Sequence, residues 1–230
     1  MTNLSIIIPT LDESKNLPLL LSDLSGIDHD HQIIVIDAKS KNISKEISRI
    51  YGAKYFLVKK KNRGFQLNYG AKKAKGEWLL FLHADSRLNS NWFAEVKTVM
   101  QKNPKIIYFF RFKIRNKEFR FRFLELLVNL RSIFLKTPYG DQGLLINKKT
   151  FIINQRYSEI PIMEDIDFIR RLKNKTKLLV PLKTSIYTSA RKWKNKSILI
   201  QSIRNWRYRK RWLKGESIEQ IYLDYYKSKT

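Results

Sequence analysis

Cysteine is absent from the 230-residue chain. That excludes disulfides and any Cys-type zinc site, and it fits a reducing compartment. Acidic residues are scarce: 20 Asp+Glu stand against 46 Lys+Arg, a formal net charge of +26. A field of this sign attracts anions, whether nucleotide phosphates, anionic lipid head groups or nucleic acid. No run of about 18 uncharged apolar residues occurs, which argues against a transmembrane helix. The opening residues Met1 to Leu4 have neither the basic start nor the long apolar stretch of a signal peptide. Internal repeats and low-complexity linkers are also missing. Core material, by contrast, is plentiful: 43% of residues are hydrophobic and 13% aromatic, too much for an intrinsically disordered chain.

The first half alternates short apolar runs with stretches of helical spacing. Leu4 to Ile8, Gln32 to Ile36, Tyr55 to Val58 and Trp78 to Leu82 have the length and composition of buried strands. Between and after them come Leu17, Leu20, Leu21 and Leu24; Ile43, Ile47 and Ile50; Leu67, Ala71 and Ala74; and Trp92, Val96 and Val99. Each set fits one face of a helix. Lys59 to Gly64 reads as a basic loop, with a helix over Gln66 to Lys75. The order predicts an α/β fold, a Rossmann-like and mostly parallel sheet flanked by helices, with right-handed crossovers.

The pattern changes after Pro104. Tyr108, Phe110, Phe112 and Ile114 alternate with Phe109, Arg111, Lys113 and Arg115, a period-2 strand with one apolar and one largely basic face. Phe119 to Lys136 reads as a basic amphipathic helix, Gly143 to Ile146 as a strand and Asp165 to Leu172 as a helix. Two short strands are predicted at Leu178 to Val180 and Ser185 to Tyr187, and a terminal helix over residues 196–213.

In open α/β sheets ligands bind outside the carboxyl ends of the strands. Polar residues collect there: Thr10, Asp12 and Glu13 after the first strand, Asp37 after the second, Arg63 after the third, His83 and Asp85 after the fourth. Loops are polar in any case, but all four strand ends carry such residues. Asp85 with His83 has donors for a divalent cation bridging a diphosphate; equally, Asp85-Ser86 could cap a following helix. Asp165, in Met163-Glu164-Asp165, would sit at a helix N-terminus, where the macrodipole keeps a carboxylate ionised. There it suits either a general base for a hydroxyl or an ordinary cap. Tyr139-Gly140-Asp141-Gln142-Gly143 forms a turn that permits close backbone approach to a ligand. Between Arg191 and Lys214 ten Lys/Arg occur with no Asp/Glu, interleaved with Trp193, Trp206, Tyr208 and Trp212. That composition suits an anionic membrane surface or a phosphate backbone, and equally a solvated basic face.

Taken in order, these segments resemble the family 2 glycosyltransferases of the GT-A fold, and more narrowly the bacterial radical-SAM/selenodomain-associated subgroup. The stretches that carry the resemblance are Ser5 to Glu13, Ile34 to Asp37, Arg63 to Asn68 with Gly70-Ala71, Phe81 to Asp85, Tyr139 to Gly143, Met163 to Asp165, and Thr188 to Arg191 with Trp193. The resemblance implies an inverting transfer from a nucleoside-diphosphate sugar, UDP- or GDP-linked, to a hydroxyl acceptor. It implies that Pro9, Thr10, Glu13, Asp37 and Arg63 hold the nucleotide. Asp85, with His83, would bind Mn²⁺ or Mg²⁺. Asp165 would be the base, supported by Glu164; Asp141 and Gln142 would line the acceptor or donor sugar. Arg191 and Trp193 would close over the diphosphate. Residues 1–195 would form the GT-A domain, divided into a nucleotide half (1–105) and an acceptor half (106–195), with a basic helical extension at 196–230. The expected location is cytoplasmic, peripheral to the inner membrane face, with a lipid-linked acceptor.

Two positions depart from the family pattern. His83 stands where the first acid of the metal motif is usual, and the loop after Asp37 reads Ala38-Lys39-Ser40-Lys41-Asn42. Three other readings stay open. A nucleic-acid-binding module fits the charge but lacks any matching motif. A nucleotidyltransferase would carry a Gly-rich loop after the first strand, which is absent from Pro9 to Glu13. An inactive, membrane-attached family member is the third.

Overall fold

The computed structural model describes residues 3–25, 31–40, 43–175, 178–189 and 198–227. Its first half follows the apolar runs. Strands β1 (Leu4–Thr10), β2 (His31–Asp37), β3 (Lys54–Leu57) and β4 (Trp78–Phe81) alternate with helices α1 (Leu17–Ser25), α2 (Ser44–Ile50) and α3 (Arg63–Lys73). These four strands pair in parallel, with β1 between β2 and β4. Side chains therefore alternate across β1. Ile6 and Ile8 enter one apolar layer with Leu17, Leu20 and Trp92, while Ile7 enters the other with Leu67, Ala71 and Phe168. A sheet buried on both faces needs apolar residues at most positions, which is why β1, β2 and β4 read as continuous runs; β3, at the edge of the sheet, has no buried residue.

The second half adds β5 (Ser86–Leu88), α4 (Trp92–Met100), β6 (Ile107–Ile114), α5 (Phe119–Phe134), a 3₁₀ turn (Gly140–Gln142), β7 (Leu144–Asn147), α6 (Lys148–Ile153), α7 (Glu164–Lys175), β8 (Leu179–Thr188), α8 (Ile198–Leu213) and α9 (Ile218–Lys227). The sheet order is β3-β2-β1-β4-β7-β6-β8-β5. Strand β7 runs antiparallel to β4 and β6, and β5 antiparallel to β8, so the sheet is mixed beyond its parallel half. The two short late strands predicted after residue 178 are one ten-residue strand, β8. Pro181 interrupts its apolar pattern, and the register shifts beside it between Phe109 and Arg111.

Helix α3 begins inside the segment read as a loop. Asn62 caps it, its side-chain oxygen accepting from the Phe65 amide at 2.8 Å. The same side chain donates to the carbonyls of Glu159 and Ile160, both at 3.0 Å. Nearly two turns later Asn68 exchanges two bonds with the backbone of Tyr157, at 2.8 and 3.1 Å. Two asparagines thus bind the strap before α7 onto α3, about a hundred residues apart in sequence. Gly64 lies under this strap, and a Cβ there would collide with the Ser158 carbonyl oxygen. Propensity alone favours alanine in a helix by about 1 kcal/mol. Gly64→Ala is nevertheless expected to destabilise by about 1–3 kcal/mol, measured by urea denaturation; a stabilised variant would mean that the strap does not press on α3.

Candidate active site

Two polar clusters lie at the carboxyl edge of the sheet, joined by the first turn of α3. The first is at the ends of β1 and β2. Asp37 is 1% exposed, and burying a carboxylate demands partners. Its Oδ1 accepts from the Ser40 amide at 2.8 Å and the Ser40 hydroxyl at 2.6 Å; its Oδ2 accepts from the Tyr55 hydroxyl at 3.0 Å. Burial, and then the bond to Asp37, push the Tyr55 phenol up to about 12. The Ser40 hydroxyl also accepts from the Asp12 amide at 2.9 Å. The unusual loop after Asp37 thus carries the residue that orients this carboxylate. A carboxylate has about four lone-pair sites, so capacity remains for a ligand. Gln66, 5% exposed, donates to the carbonyls of Thr10 at 3.0 Å and Ile36 at 2.7 Å, clamping the two strand ends together. Thr10 is buried, and Pro9 and Glu13 are partly exposed beside it. Asn16 donates to Glu13 Oε2 at 2.6 Å.

The second cluster brings four distant segments together. Arg63, at the start of α3, donates to Glu164 at the start of α7. A second guanidinium nitrogen of Arg63 lies 3.5 Å from His83 Nε2, and a third group contact reaches Asp165 Oδ1 at 4.0 Å. Asp165 Oδ2 accepts from the Gly140 amide at 2.8 Å, and Oδ1 from the Ile166 amide at 2.8 Å. The Glu164 side chain is only 2% exposed. Burial raises its pKa above the ordinary carboxyl value, and Arg63 pulls it back. Burial alone would lower the pKa of Arg63, but Glu164 and then Asp165 raise it above its ordinary value. Arg63 is therefore a permanent cation in the site. Beneath the acids lies a buried aromatic floor. The Tyr157 ring lies tilted at 4.7 Å from Phe168 and edge-on at 5.2 Å from Phe81, and its phenol pKa is raised by burial and by Asp165 and Glu164. Met163 enters α7 at φ +65°, a left-handed conformation costing on the order of 1 kcal/mol for a side-chain residue. Such strain is characteristic of functional sites.

Gly140 is the contact point of the cluster. A Cβ placed there would lie 2.7 Å from His83 Nε2 and 3.1 Å from Asp165 Oδ2. Only glycine allows its amide to reach Asp165 with the imidazole alongside. Gly140→Ala is expected to lower turnover about a hundredfold, the scale of an ångström-size misplacement, with little change in melting temperature. Wild-type turnover in that variant would disconnect Gly140 from the chemistry.

The remaining expected site residues separate. Gln142 is fully buried and accepts from the Ser132 hydroxyl at 2.5 Å while donating to the Phe110 carbonyl at 3.2 Å. It braces the 3₁₀ turn from behind and does not face the cluster. Asp141 is partly exposed beside it. Tyr139 is gripped from two sides. The Arg131 guanidinium carbon lies 3.7 Å from its ring centroid, and Arg209 of α8 donates to its hydroxyl. Burial holds the Arg131 pKa below its ordinary value, against the opposing pull of Tyr139 and Asp141. Arg191 and Trp193 lie outside the described residues. Asp85, two residues past His83, is partly exposed in the turn after β4. Among the described residues no three His, Cys, Asp or Glu side chains form a group that could hold a metal ion. Gln66, Ser40 and Tyr139 were missed as site-forming residues. Only Ser40 had a local signal, a serine three residues after an aspartate, the spacing of a side-chain-to-amide turn.

Comparison with known proteins adds the family context. The model of the family described as "Glycosyl transferase family 2" matches residues 5–162. A Haemophilus influenzae protein named "Uncharacterized glycosyltransferase" is 25% identical over 181 residues, covering 74% of this chain and 61% of its own. The 4,4'-diaponeurosporenoate glycosyltransferase of Staphylococcus haemolyticus is 35% identical over 95 residues, 38% of this chain and 25% of its own. The chain thus spans less than two thirds of both relatives. Among solved structures, S. aureus TarS 1-349 in complex with UDP superposes with a TM-score of 0.67 at 17% identity, covering 81% of this chain and 60% of that one. The mannosyltransferase PcManGT from Pyrobaculum calidifontis, in complex with GDP-Man and Mn2+, gives 0.64 at 15% identity, covering 90% and 60%. The GT-A fold of these proteins is the fold of this chain.

Proposed function

The chain belongs to glycosyl transferase family 2, and from that premise we propose that it moves a sugar from a nucleoside-diphosphate sugar to an acceptor hydroxyl with inversion at the anomeric carbon. One observation carries this reading: Arg63, His83, Gly140 and Asp165, from four separate segments, meet at the carboxyl edge of the sheet, where α/β folds bind ligands. The nucleoside end would occupy the crevice between Thr10, Glu13 and Asp37. The reacting end would lie toward Asp165.

In the proposed step the acceptor oxygen attacks the anomeric carbon. Its proton passes to Asp165, the bond to the donor phosphate oxygen breaks, and the nucleoside diphosphate leaves with the electron pair. Asp165 is held for this by two backbone amides, which fix its direction while leaving lone pairs for a hydroxyl. Glu164, paired with Arg63, is a positioning residue. Arg63, and Arg191 with Trp193 as the resemblance implies, would face the charge that develops on the leaving diphosphate. Asp85 would hold Mn²⁺ or Mg²⁺ through its hard carboxylate oxygens. His83 directs Nε2 at the Arg63 cation instead, which leaves Asp85 the stronger ligand of the expected pair. A cation there would neutralise part of the leaving charge. In the same reading, residues 1–195 form the transferase domain and α8–α9 belong to the extension, docked through Arg209 on Tyr139.

A thermal-shift screen of nucleoside-diphosphate sugars with and without Mn²⁺ or Mg²⁺ tests the reading. It predicts a raised melting temperature with one donor class, by the mass action of ligand binding. No shift with any donor, together with salt-sensitive binding of RNA or DNA, would replace it with a nucleic-acid-binding role.

A further inference from the structure

Helix α5 inverts the usual arrangement of a surface helix. Its inner face is partly polar. Glu125 accepts from the Ile114 amide at 2.5 Å, and Asn129 bonds the amide and carbonyl of Phe112 at 2.8 and 3.0 Å. These side chains satisfy the edge of β6, and Phe121 and Leu124 complete the buried side. The outer face, where a soluble helix carries polar residues, is apolar. Phe119 is 84% exposed, Phe123 54%, Leu126 54%, Leu127 47%, Leu130 41% and Phe134 74%. At 3.6 residues per turn these six fall within an arc of about 100°. A contiguous apolar stripe of this kind marks a binding surface.

The charge around the stripe selects its occupant. Arg120, paired with Glu118 at 2.6 Å, borders one side and Arg122, paired with Glu125 at 2.8 Å, the other; exposed Arg111, Lys113, Arg115 and Lys117 lead into the helix and leave the rim cationic. A second copy of this chain would bring two such cationic rims together, with a net charge of +26 on each molecule. An anionic bilayer complements both features, taking the apolar arc among its acyl chains and the cations at its head groups. The helix has 16 residues, about 24 Å at 1.5 Å per residue, and no helix among the described residues is long and apolar enough to cross a membrane. We propose that α5 lies flat in the surface of an anionic membrane. Its Arg131 stacks on Tyr139, next to Gly140 and hence to Asp165, so the docked face abuts the acceptor side of the site.

Cosedimentation with vesicles tests this without any donor sugar, so it stands or falls independently of the transferase reading. The full chain is expected to pellet with vesicles of phosphatidylcholine mixed with phosphatidylglycerol, not with phosphatidylcholine alone, and to be released by salt. Phe123→Glu/Leu130→Glu should lower partitioning at least about tenfold through the loss of two apolar side chains that would enter the acyl layer. The milder Phe119→Ser/Phe134→Ser should lower it in the same direction with the melting temperature unchanged, so that a folding defect in the first pair leaves the second to decide. Wild-type partitioning by the Ser pair, binding indifferent to lipid charge, or a solution dimer that the Ser pair splits would overturn the proposal.

Discussion

Asp165→Asn is expected to bind a nucleoside-diphosphate sugar as the wild type does and to transfer it at least about a hundredfold more slowly, the lower end of what a positioned general base contributes. Asparagine keeps the shape of the side chain, and its amide oxygen can still accept from one of the two backbone amides, Gly140 or Ile166. What it cannot do is take a proton. The proposed nucleotide site at Thr10, Glu13 and Asp37 is separated from Asp165 by the first turn of α3, so donor affinity should survive. Calorimetry for binding and a transfer assay for turnover separate the two effects. Equal losses of affinity and turnover would make Asp165 part of the donor site, and unchanged turnover would remove it as the base.

Arg63→Met is expected to destabilise the fold and to make its stability depend strongly on pH. Glu164 is buried, and Arg63 is the cation that compensates it. Removing one partner of a fully buried pair costs about 3–5 kcal/mol. The Arg63 side chain is 41% exposed, so water screens the pair and a loss of about 2 kcal/mol near neutral pH is the better expectation. The sign of the pH effect follows from the carboxyl group. Burial already raises the Glu164 pKa, and without Arg63 only a backbone hydrogen bond, the smallest of the influences on it, still pulls it down. The folded variant then holds a proton that the unfolded chain releases above its ordinary value of about 4.3. Its stability is full below that value and falls as pH rises through the folded pKa. The wild type should show the same trend with a smaller slope. Urea denaturation across pH reads this directly; equal slopes in the two proteins would show that Arg63 does not compensate Glu164.

The parallel half of the fold was legible because both faces of β1, β2 and β4 are buried. Ile6, Ile7 and Ile8 must all be apolar, so β1 announces itself as a run, and β2 and β4 do the same. Asp37 and Asp165 were legible as site candidates because one ends such a run and the other begins an amphipathic helix. Strand β5 was invisible: three residues, Ser86 to Leu88, are too few for any period to show. The break in β8 at Pro181 split one strand into two apparent ones. The start of α3 was misplaced because Lys59 to Arg63 has a loop composition, and its cap, Asn62, was not recognised. The roles of Gln66 and Gln142 could not be read at all. Both are glutamines whose partners are carbonyls tens of residues away, and only the folded neighbourhood distinguishes a buried brace from a surface residue. Tyr139 is the same case, since its two arginines come from α5 and α8.

Membership in glycosyl transferase family 2 fixes the fold and the class. The convergence of the two clusters on one donor is the part that a single experiment can decide: a crystal structure of Asp165→Asn soaked with the donor identified by thermal shift. The nucleobase is expected beside Asp37 and the anomeric carbon within reach of residue 165, on the side of Gly140 and His83. A donor seated elsewhere, for instance along the arginines of α8 with the Asp37 crevice empty, would contradict it.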